Sequence, residues 1–190
     1  MTHRVGLDVQ MVIQAAADLA DAEGIEVVTL ATLASRLGIR APTLYHYVNG
    51  VDGLRRDIAL LGKRELAHTL GQEVMGRSGS EAVEAMARAY RTFAHAHPGL
   101  YAASQRASAP QDTPLREAEA EVVDIVLRVL AVPEQERDEA LHRVRLIRSI
   151  LHGFVSLEMN GGFGLPQDVD ETFRRLVIVL IQAAKKDNRP

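Results

Sequence analysis

The chain has 190 residues, 47% of them hydrophobic and 25% charged, and this is the balance of an ordinary globular protein that is long enough to bury a core. It carries a net charge of −3 and has no cysteine, which excludes disulfides, thiolate nucleophiles, iron–sulfur clusters and cysteine-based zinc sites. The N-terminus has no apolar signal-peptide pattern and no later apolar run approaches about 20 residues, so we expect a cytoplasmic protein.

The core is expected to be built from Leu, Val, Ile and Ala, because aromatic residues make up only 4% of the chain and tryptophan is absent. This composition favours packed helices over a β-sandwich. Apolar spacing and helix-stop residues predict helices over 7–23, 30–37, 41–48, 52–75, 80–96, 114–130, 134–160 and 169–185, with a short turn at 98–103. The expected fold is therefore all-α, with about nine helices.

The stretch from Thr29 to Leu54 predicts a helix-turn-helix followed by the start of a third helix. Leu and Ala recur at helical spacing over 30–37, Thr29 stands at the N-cap position, and Gly38 can take the positive φ that a sharp turn needs. The second helix begins near Pro42, whose missing N–H costs nothing in a first turn. Within it Leu44 and Val48 are predicted to face inward.

The outward face of that second helix carries hydrogen-bonding side chains, namely Thr43, Tyr45, His46 and Tyr47. Between residues 29 and 64 the chain has six arginines and lysines against two aspartates, although its net charge is negative overall. Two short helices around a glycine also occur in proteins that bind no DNA, and a few arginines can simply solvate a surface. The coincidence of the basic stretch with the polar face favours binding in a DNA major groove.

The runs LASRLG at 33–38 and APTLYHYV at 41–48 resemble the DNA-binding domain of the TetR family of ligand-responsive transcriptional regulators. The resemblance implies that Tyr45 and Tyr47 touch the DNA backbone and that Arg40, Thr43 and His46 read bases. Pro42 and Thr43 can also contact a thymine methyl.

One position departs from the family pattern. The family often carries a phosphate-binding lysine where this chain has Val51, so we expect Arg55 to substitute for it, with lower DNA affinity. The predicted DNA-binding residues are Thr29, Arg36, Arg40, Pro42, Thr43, Tyr45, His46, Tyr47 and Arg55.

A second resemblance lies at 151–161, where LHGFVSLEMNG is similar to the signature of TetR C-terminal domains of the Trp-His-Gly (WHG) type, with Leu151 in place of Trp. Gly153 inside a helix costs about 1 kcal/mol relative to Ala, a cost that close packing against a twin helix would offset. The resemblance implies that helices 134–160 and 169–185 form a four-helix bundle with a second copy, although the apolar stripe of the last helix can also be an intramolecular core face. The predicted dimer-interface residues are Gly153, Leu157, Phe173, Leu176, Val177, Leu180 and Ile181.

A ligand pocket is expected among the helices between residues 52 and 165. Mostly apolar walls with a few polar anchors fit a small organic effector. For each candidate the alternative is ordinary core packing. The candidate lining residues are Met86, Tyr90, Phe93, Tyr101, Gln105, Val122, Val126, Arg145, Ser149 and His152.

Two other functions account for parts of the sequence pattern. Glu139-x-x-His142 has the spacing of a diiron ligand pair, but such a site needs a second motif and further carboxylates on facing helices. A helical ligand-binding or adaptor protein, whose helix-turn-helix packs against protein, is disfavoured by the basic stretch and the Tyr-His-Tyr face.

The sequence therefore predicts a homodimeric regulator, not an enzyme, with a DNA-binding domain at 1–50 and a ligand-binding and dimerisation domain at 51–190. We expect it to act in the bacterial cytosol as a repressor that leaves a pseudo-palindromic DNA operator when a small organic effector binds. No cofactor, metal or membrane partner is expected.

Overall fold

The computed structural model describes residues 7–184, apart from the side chain of Glu134. This part of the chain contains helices, turns and loops but no strand, which confirms the predicted all-α class. Three 3₁₀-helices occupy Ile25–Val27, Ala41–His46 and Glu134–Glu136. The α-helices are α1 (Val9–Glu23), α2 (Leu30–Leu37), α3 (Gly50–Val74), α4 (Gly79–Ala96), α5 (Pro98–Ser104), α6 (Thr113–Val129), α7 (Arg137–Met159) and α8 (Val169–Ala184).

The segment from Ala41 to His46, called the recognition helix below, differs from its prediction as an α-helix over 41–48. The N–H of Thr43 donates to the carbonyl of Arg40 and that of Tyr47 to the carbonyl of Leu44, both at 2.9 Å. These i to i+3 bonds define a 3₁₀-helix, a form that short helical segments such as this six-residue one commonly take.

Other boundaries agree with the sequence prediction to within a few residues. The predicted turn at 98–103 is the short helix α5, and the single helix predicted over 134–160 divides into a 3₁₀ turn and α7. Lys185, the predicted end of the last helix, lies outside the described residues. None of the described helices combines the length and the apolar character that crossing a membrane requires.

The contacts divide the chain into two compact units. Among the described residues, the first unit comprises those up to Glu65 together with Ala96–Ala118, and the second comprises Leu66–His95 together with those from Glu119 to 184. Both α3 and α6 contribute residues to each unit. This partition describes packing, and the functional division at residues 50 and 51 stays a prediction.

In the first unit, α1 and α5 are in backbone contact. A Cβ added at Gly99 would lie 2.1 Å from the carbonyl carbon of Ala20, so only glycine fits there. The N-cap position of α5 makes no side-chain cap hydrogen bond of its own. Asp21 of α1 supplies the capping acceptor instead. Its carboxylate accepts the N–H of Leu100 at 2.8 Å and lies 3.0 Å from Nδ1 of His97. A carboxylate at a helix N-terminus is favourable because of the unsatisfied N–H groups and the helix dipole.

A second carboxylate does the same for α6. Asp112 accepts the N–H of Leu115 at 3.3 Å, and its two oxygens take the Nε and Nη2 protons of Arg56 at 2.6 and 2.7 Å. This bidentate pair raises the pKa of Arg56 and lowers that of Asp112, in both cases chiefly through the hydrogen bonds between the two side chains. Helix α3 is thereby tied to the start of α6 within the first unit.

The second unit is built around an apolar core contributed by the last part of α3 and by α4, α6, α7 and α8. Each large apolar side chain that is fully buried contributes about 1.5–3 kcal/mol, so this core is the main source of the unit's stability. Its larger buried members include Leu66, Leu70, Val83, Met86, Tyr90, Phe93, Ile125, Val126, Leu127, Val144, Ile147, Leu151, Phe154, Phe173, Val177 and Leu180.

We expect Gly99→Ala and Gly71→Ala to change stability in opposite directions. The added methyl at Gly99 must displace backbone atoms of α1 and should lower the free energy of unfolding by about 1–3 kcal/mol. At Gly71, inside α3, a Cβ would meet its nearest neighbour at 3.7 Å, an ordinary contact, so alanine should stabilise by about 0.5–1 kcal/mol through helix propensity. Chemical denaturation followed by circular dichroism measures both, and equal effects would contradict the close approach of α1 and α5.

Candidate DNA-binding site

Buried side chains hold the recognition helix against α2. Leu33 and Ala34 of α2 and Leu44 and Val48 in and after the recognition helix are at most 5% exposed. The predicted inward orientation of Leu44 and Val48 is thus confirmed. This packing leaves the other faces of the recognition helix directed toward solvent.

Both ends of α2 are fixed by local hydrogen bonds. The hydroxyl of Thr29 accepts the N–H of Thr32 at 3.1 Å, and the hydroxyl of Thr32 accepts the N–H of Thr29 at 3.0 Å, a reciprocal cap. At the other end Gly38 has φ +66°, which lets the chain turn directly toward the recognition helix. The capping role of Thr29 and the turn at Gly38 are confirmed.

The predicted contact residues of the helix-turn-helix lie at the surface. Tyr45 is 65% exposed, while Thr43 and Tyr47 are half-buried. Arg36 and Arg40 are exposed and, within residues 7–184, neither forms an ion pair. Their charges are therefore available to an anionic partner such as phosphate. Pro42, His46 and Thr29 are exposed as well.

Arg55 is placed differently from these two arginines. Its guanidinium lies 3.3 Å from the carboxylate of Glu26, in the short 3₁₀-helix before α2. Val51, the position at which the family often carries lysine, is half-buried at the start of α3. The charge of Arg55 is thus partly balanced within the protein.

The predicted lining residues of the ligand pocket do not share one environment. The buried face of α7 runs through Val144, Ile147 and Leu151, whereas Arg145 and Ser149 lie on an exposed face. Within this protomer those two side chains face solvent and line no interior. Tyr101 and Gln105 belong to the first unit, and the other eight candidates belong to the second. Besides the two exposed side chains, those of the second unit divide by burial: the buried ones are Met86, Tyr90, Phe93 and Val126, and the half-buried ones are Val122 and His152.

His152 is the polar member of that set with a perturbed acidity. Burial, and secondarily the positive charge of Arg148, lower the pKa of its imidazole. A lowered pKa favours the neutral ring, which can both donate and accept a hydrogen bond. Its contact with a ligand stays a prediction.

The predicted dimer-interface residues divide into an exposed and a buried set. On α7, Leu157 is 51% exposed and a Cβ at Gly153 would meet nothing within 4 Å, so both have surface to offer a second chain. On α8, by contrast, Phe173, Val177 and Leu180 are buried within the protomer and have no exposed surface for a second chain. The apolar stripe predicted from their spacing is therefore an intramolecular core face. Leu176 and Ile181 are half-buried. The exposed apolar residues of α8 are Ile178 and Val179, at 44% and 52%.

Arg91 of α4 links α7 and α8 in the second unit. Its Nε donates to one oxygen of Glu158 at 2.9 Å. Its Nη2 donates to the other Glu158 oxygen and lies 2.7 Å from the carboxylate of Asp170. The guanidinium also lies over the ring of Phe173, 4.7 Å from its centroid. His95 adds a contact of 2.8 Å to Glu158, so that one carboxylate joins two side chains of α4. These contacts lower the pKa of Glu158, chiefly through the Arg91 hydrogen bond.

The metal-site alternative finds no support in the placement of its residues. Glu139 and His142 are both exposed on α7. Among residues 7–184 no three His, Asp or Glu side chains are grouped so that they could hold a metal ion.

Comparison with known proteins agrees with this arrangement. Residues 12–54 match the family model of bacterial regulatory proteins of the TetR family, and residues 83–180 match that of the tetracyclin repressor-like C-terminal domain. The HTH-type transcriptional regulator YobS of Bacillus subtilis is 32% identical over 90% of this chain and 90% of its own length. The chain therefore belongs to the TetR family of helix-turn-helix transcriptional regulators.

Solved structures show the same fold. SCO7222, a TetR-type transcriptional regulator from Streptomyces coelicolor, has 18% identity and a TM-score of 0.68 over 94% of this chain and 98% of its own. A TetR variant from Acinetobacter baumannii AYE, solved in complex with minocycline, has 19% identity and a TM-score of 0.66 over 94% and 95%. TetR-family proteins bind operator DNA and small-molecule effectors, and the family consists of regulators, not enzymes.

We expect Glu158→Gln to destabilise the protein by about 1–3 kcal/mol at pH 7, because it replaces the charged two-oxygen acceptor of the half-buried Arg91 with a neutral amide whose nitrogen cannot accept. The pKa of Glu158 is lowered from its ordinary value of 4.5, so the stabilisation is complete above about that pH and is lost as pH falls through the lowered value. The difference between the wild type and the variant should therefore shrink in acid. Urea titrations from pH 3 to 7 measure it.

Glu84→Gln is the matched control, since Glu84 pairs with Arg88 across an exposed helix face. Exposed pairs of this kind contribute little, so the control should change stability only slightly. A Glu158→Gln deficit that is independent of pH would argue against the ion pair.

Proposed function

We propose that this chain is a homodimeric cytoplasmic repressor that binds a pseudo-palindromic operator and leaves it when a small organic effector binds the second unit. The observation that carries the proposal is the exposed, cationic surface around the recognition helix, where Arg36 and Arg40 have no ion-pair partner among the described residues. Unneutralised arginines beside hydroxyl and imidazole groups suit phosphate binding and base reading together.

Each contact residue has a distinct proposed role. Arg40, Thr43 and His46 read base edges, with arginine suited to the paired acceptors of guanine. Tyr45 and Tyr47 bind backbone oxygens and fix the register of the helix on the duplex. Arg36 adds a phosphate contact from the exposed face of α2.

The dimer is proposed to form through the exposed face of α7 and the neighbouring part of α8. Leu146, Gly153 and Leu157 share one side of α7, with Leu146 and Leu157 49% and 51% exposed. Ile178 and Val179 are the exposed apolar residues that α8 offers. A two-fold axis through such a face pairs the same patch on both chains. The helix-turn-helix segments of the two chains then bind half-sites about 34–36 Å apart, a separation of one helical turn of DNA.

The effector is proposed to be a small organic molecule held mainly by apolar contacts in the second unit. The solved Acinetobacter relative, which binds minocycline, is the precedent. Effector and operator are coupled through the continuous helix α3, which supplies residues to both units. Such coupling is reciprocal, so operator DNA weakens effector binding by the factor by which effector weakens DNA binding.

Selection of bound duplexes from a random library tests the DNA-binding function. The wild type should enrich a pseudo-palindrome with half-sites one turn apart. Arg40→Ala should blur one or two positions in each half-site, each worth about 1–3 kcal/mol of discrimination, because it removes a base contact. Tyr45→Ala should weaken binding to all duplexes and leave the enriched sequence unchanged.

An Arg40→Ala profile identical to the wild type would reject Arg40 as a base reader. If the wild type enriches nothing at low salt, the DNA-binding proposal fails, and a helical ligand-binding or adaptor function becomes the better explanation.

Leu157→Glu should convert the dimer to a monomer, because it places a charge in the centre of the proposed apolar interface. Sedimentation velocity measures the change, and circular dichroism checks that the fold is retained. Leu165→Glu is the matched control, since Leu165 is 77% exposed in the loop between α7 and α8 and is not among the proposed interface residues. A dimer in both variants would place the interface elsewhere.

A further inference from the structure

Glu26 and Arg55 form an ion pair for which the roles proposed above give no reason. A terminal nitrogen of Arg55 donates to Oε2 of Glu26 at 3.3 Å, and this is one contact where a carboxylate and a guanidinium can make two. The Nε of Arg55 is inaccessible and has no hydrogen-bond partner. The pair is therefore incomplete, and the terminal nitrogens of Arg55 retain unused donors.

The pair joins the two segments that flank the helix-turn-helix along the chain. Arg55 is in the second turn of α3, and the recognition helix ends only four residues before α3 begins. Side chains of an α-helix lean toward its N-terminus, so that of Arg55 leans toward the end of α3 that follows the recognition helix. Its partner Glu26 precedes the N-cap of α2 by three residues. The pair thus connects the segment before α2 with the segment after the recognition helix.

The carboxylate of Glu26 can be displaced easily. Its side chain is 87% exposed, whereas that of Arg55 is 30% exposed. An exposed ion pair is stabilised little in water, because solvent competes for both charges. A phosphate offers the guanidinium several oxygens in place of one and provides the stronger bidentate contact.

We propose that Glu26 is an intramolecular competitor for the DNA backbone. Arg55 binds Glu26 in the free protein and exchanges it for a phosphate on DNA, which leaves the Glu26 carboxylate unpaired near the duplex. Glu26 therefore lowers the affinity for DNA of any sequence. It also reduces the salt dependence of binding, because the contact of Arg55 with phosphate is made at the expense of an existing ion pair. This inference rests on the DNA-binding function proposed above.

Fluorescence anisotropy with a selected operator duplex and a scrambled duplex, over a series of salt concentrations, tests the exchange. Glu26→Gln should bind both duplexes about two- to fivefold more tightly per subunit. For this variant, the slope of log association constant against log salt concentration should be steeper by about 0.9 per subunit. The reason is that Arg55 releases one more counterion from the DNA, while no freed Glu26 carboxylate takes up a cation in exchange. In an Arg55→Gln background the same Glu26→Gln change should have little effect.

Glu23→Gln is the matched control, because Glu23 is an exposed carboxylate three residues away and pairs with no arginine in the described part of the chain. It should change affinity less than Glu26→Gln does. Thermal unfolding of the Arg55 variants verifies that they are folded at the temperature of the binding assay.

The outcomes separate the two proposals. If the wild type binds duplexes but Glu26→Gln binds no more tightly, the competition is refuted while the regulator function stands. An equal gain in the Arg55→Gln background would also refute it, since Glu26 would then repel DNA without involving Arg55. If the wild type binds no duplex at all, the regulator function and this inference fail together.

Discussion

The carboxylate of Asp21 is the contact on which the arrangement of the first unit depends. Helix α5 begins at a proline and has no capping side chain of its own, so its first N–H groups need an acceptor from elsewhere. Asp21, on α1, provides it, and Gly99 permits the backbone contact that brings the carboxylate within reach. A helix distant in sequence is thereby made part of the unit that carries the helix-turn-helix.

The same solution recurs at Asp112, which caps α6 and at the same time receives the bidentate guanidinium of Arg56 from α3. In the second unit one carboxylate again joins two helices, since Glu158 of α7 accepts from Arg91 and contacts His95, both on α4. The apolar cores supply most of the stability, but they are not directional. Three carboxylates that each accept several hydrogen bonds fix which helix ends meet and at what spacing.

The local features of this fold could be predicted from the sequence because their causes are local. The cap at Thr29, the turn at Gly38 and the inward positions of Leu44 and Val48 depend on residues within a few positions of one another. The family relationship could be recognised for the same reason, since the segment 33–48 carries it. Helix boundaries followed to within a few residues, except where Pro42 leads into a 3₁₀-helix.

The contacts that join distant segments could not be predicted in this way. Leu100 is 79 positions from Asp21, and Glu158 is 67 positions from Arg91, so no spacing rule relates them. The apolar stripe of α8 shows a second limit. Its period predicts a buried face but does not say whether the same chain or another copy covers it, and here Phe173, Val177 and Leu180 are covered by the same chain.

The 3₁₀ geometry of the recognition helix has a consequence for how it would lie along a base sequence. With about three residues per turn and a rise of about 2.0 Å, side chains three positions apart stand in one straight row, about 6 Å from each other. Thr43 and His46 have this spacing, so they stand about 6 Å apart in one row, whereas Arg40 is the extended residue just before the helix. Successive base pairs are about 3.4 Å apart, so the row from Thr43 to His46 extends over about two base-pair steps. A half-site read by these two side chains would be short, and they would contact base pairs about two steps apart.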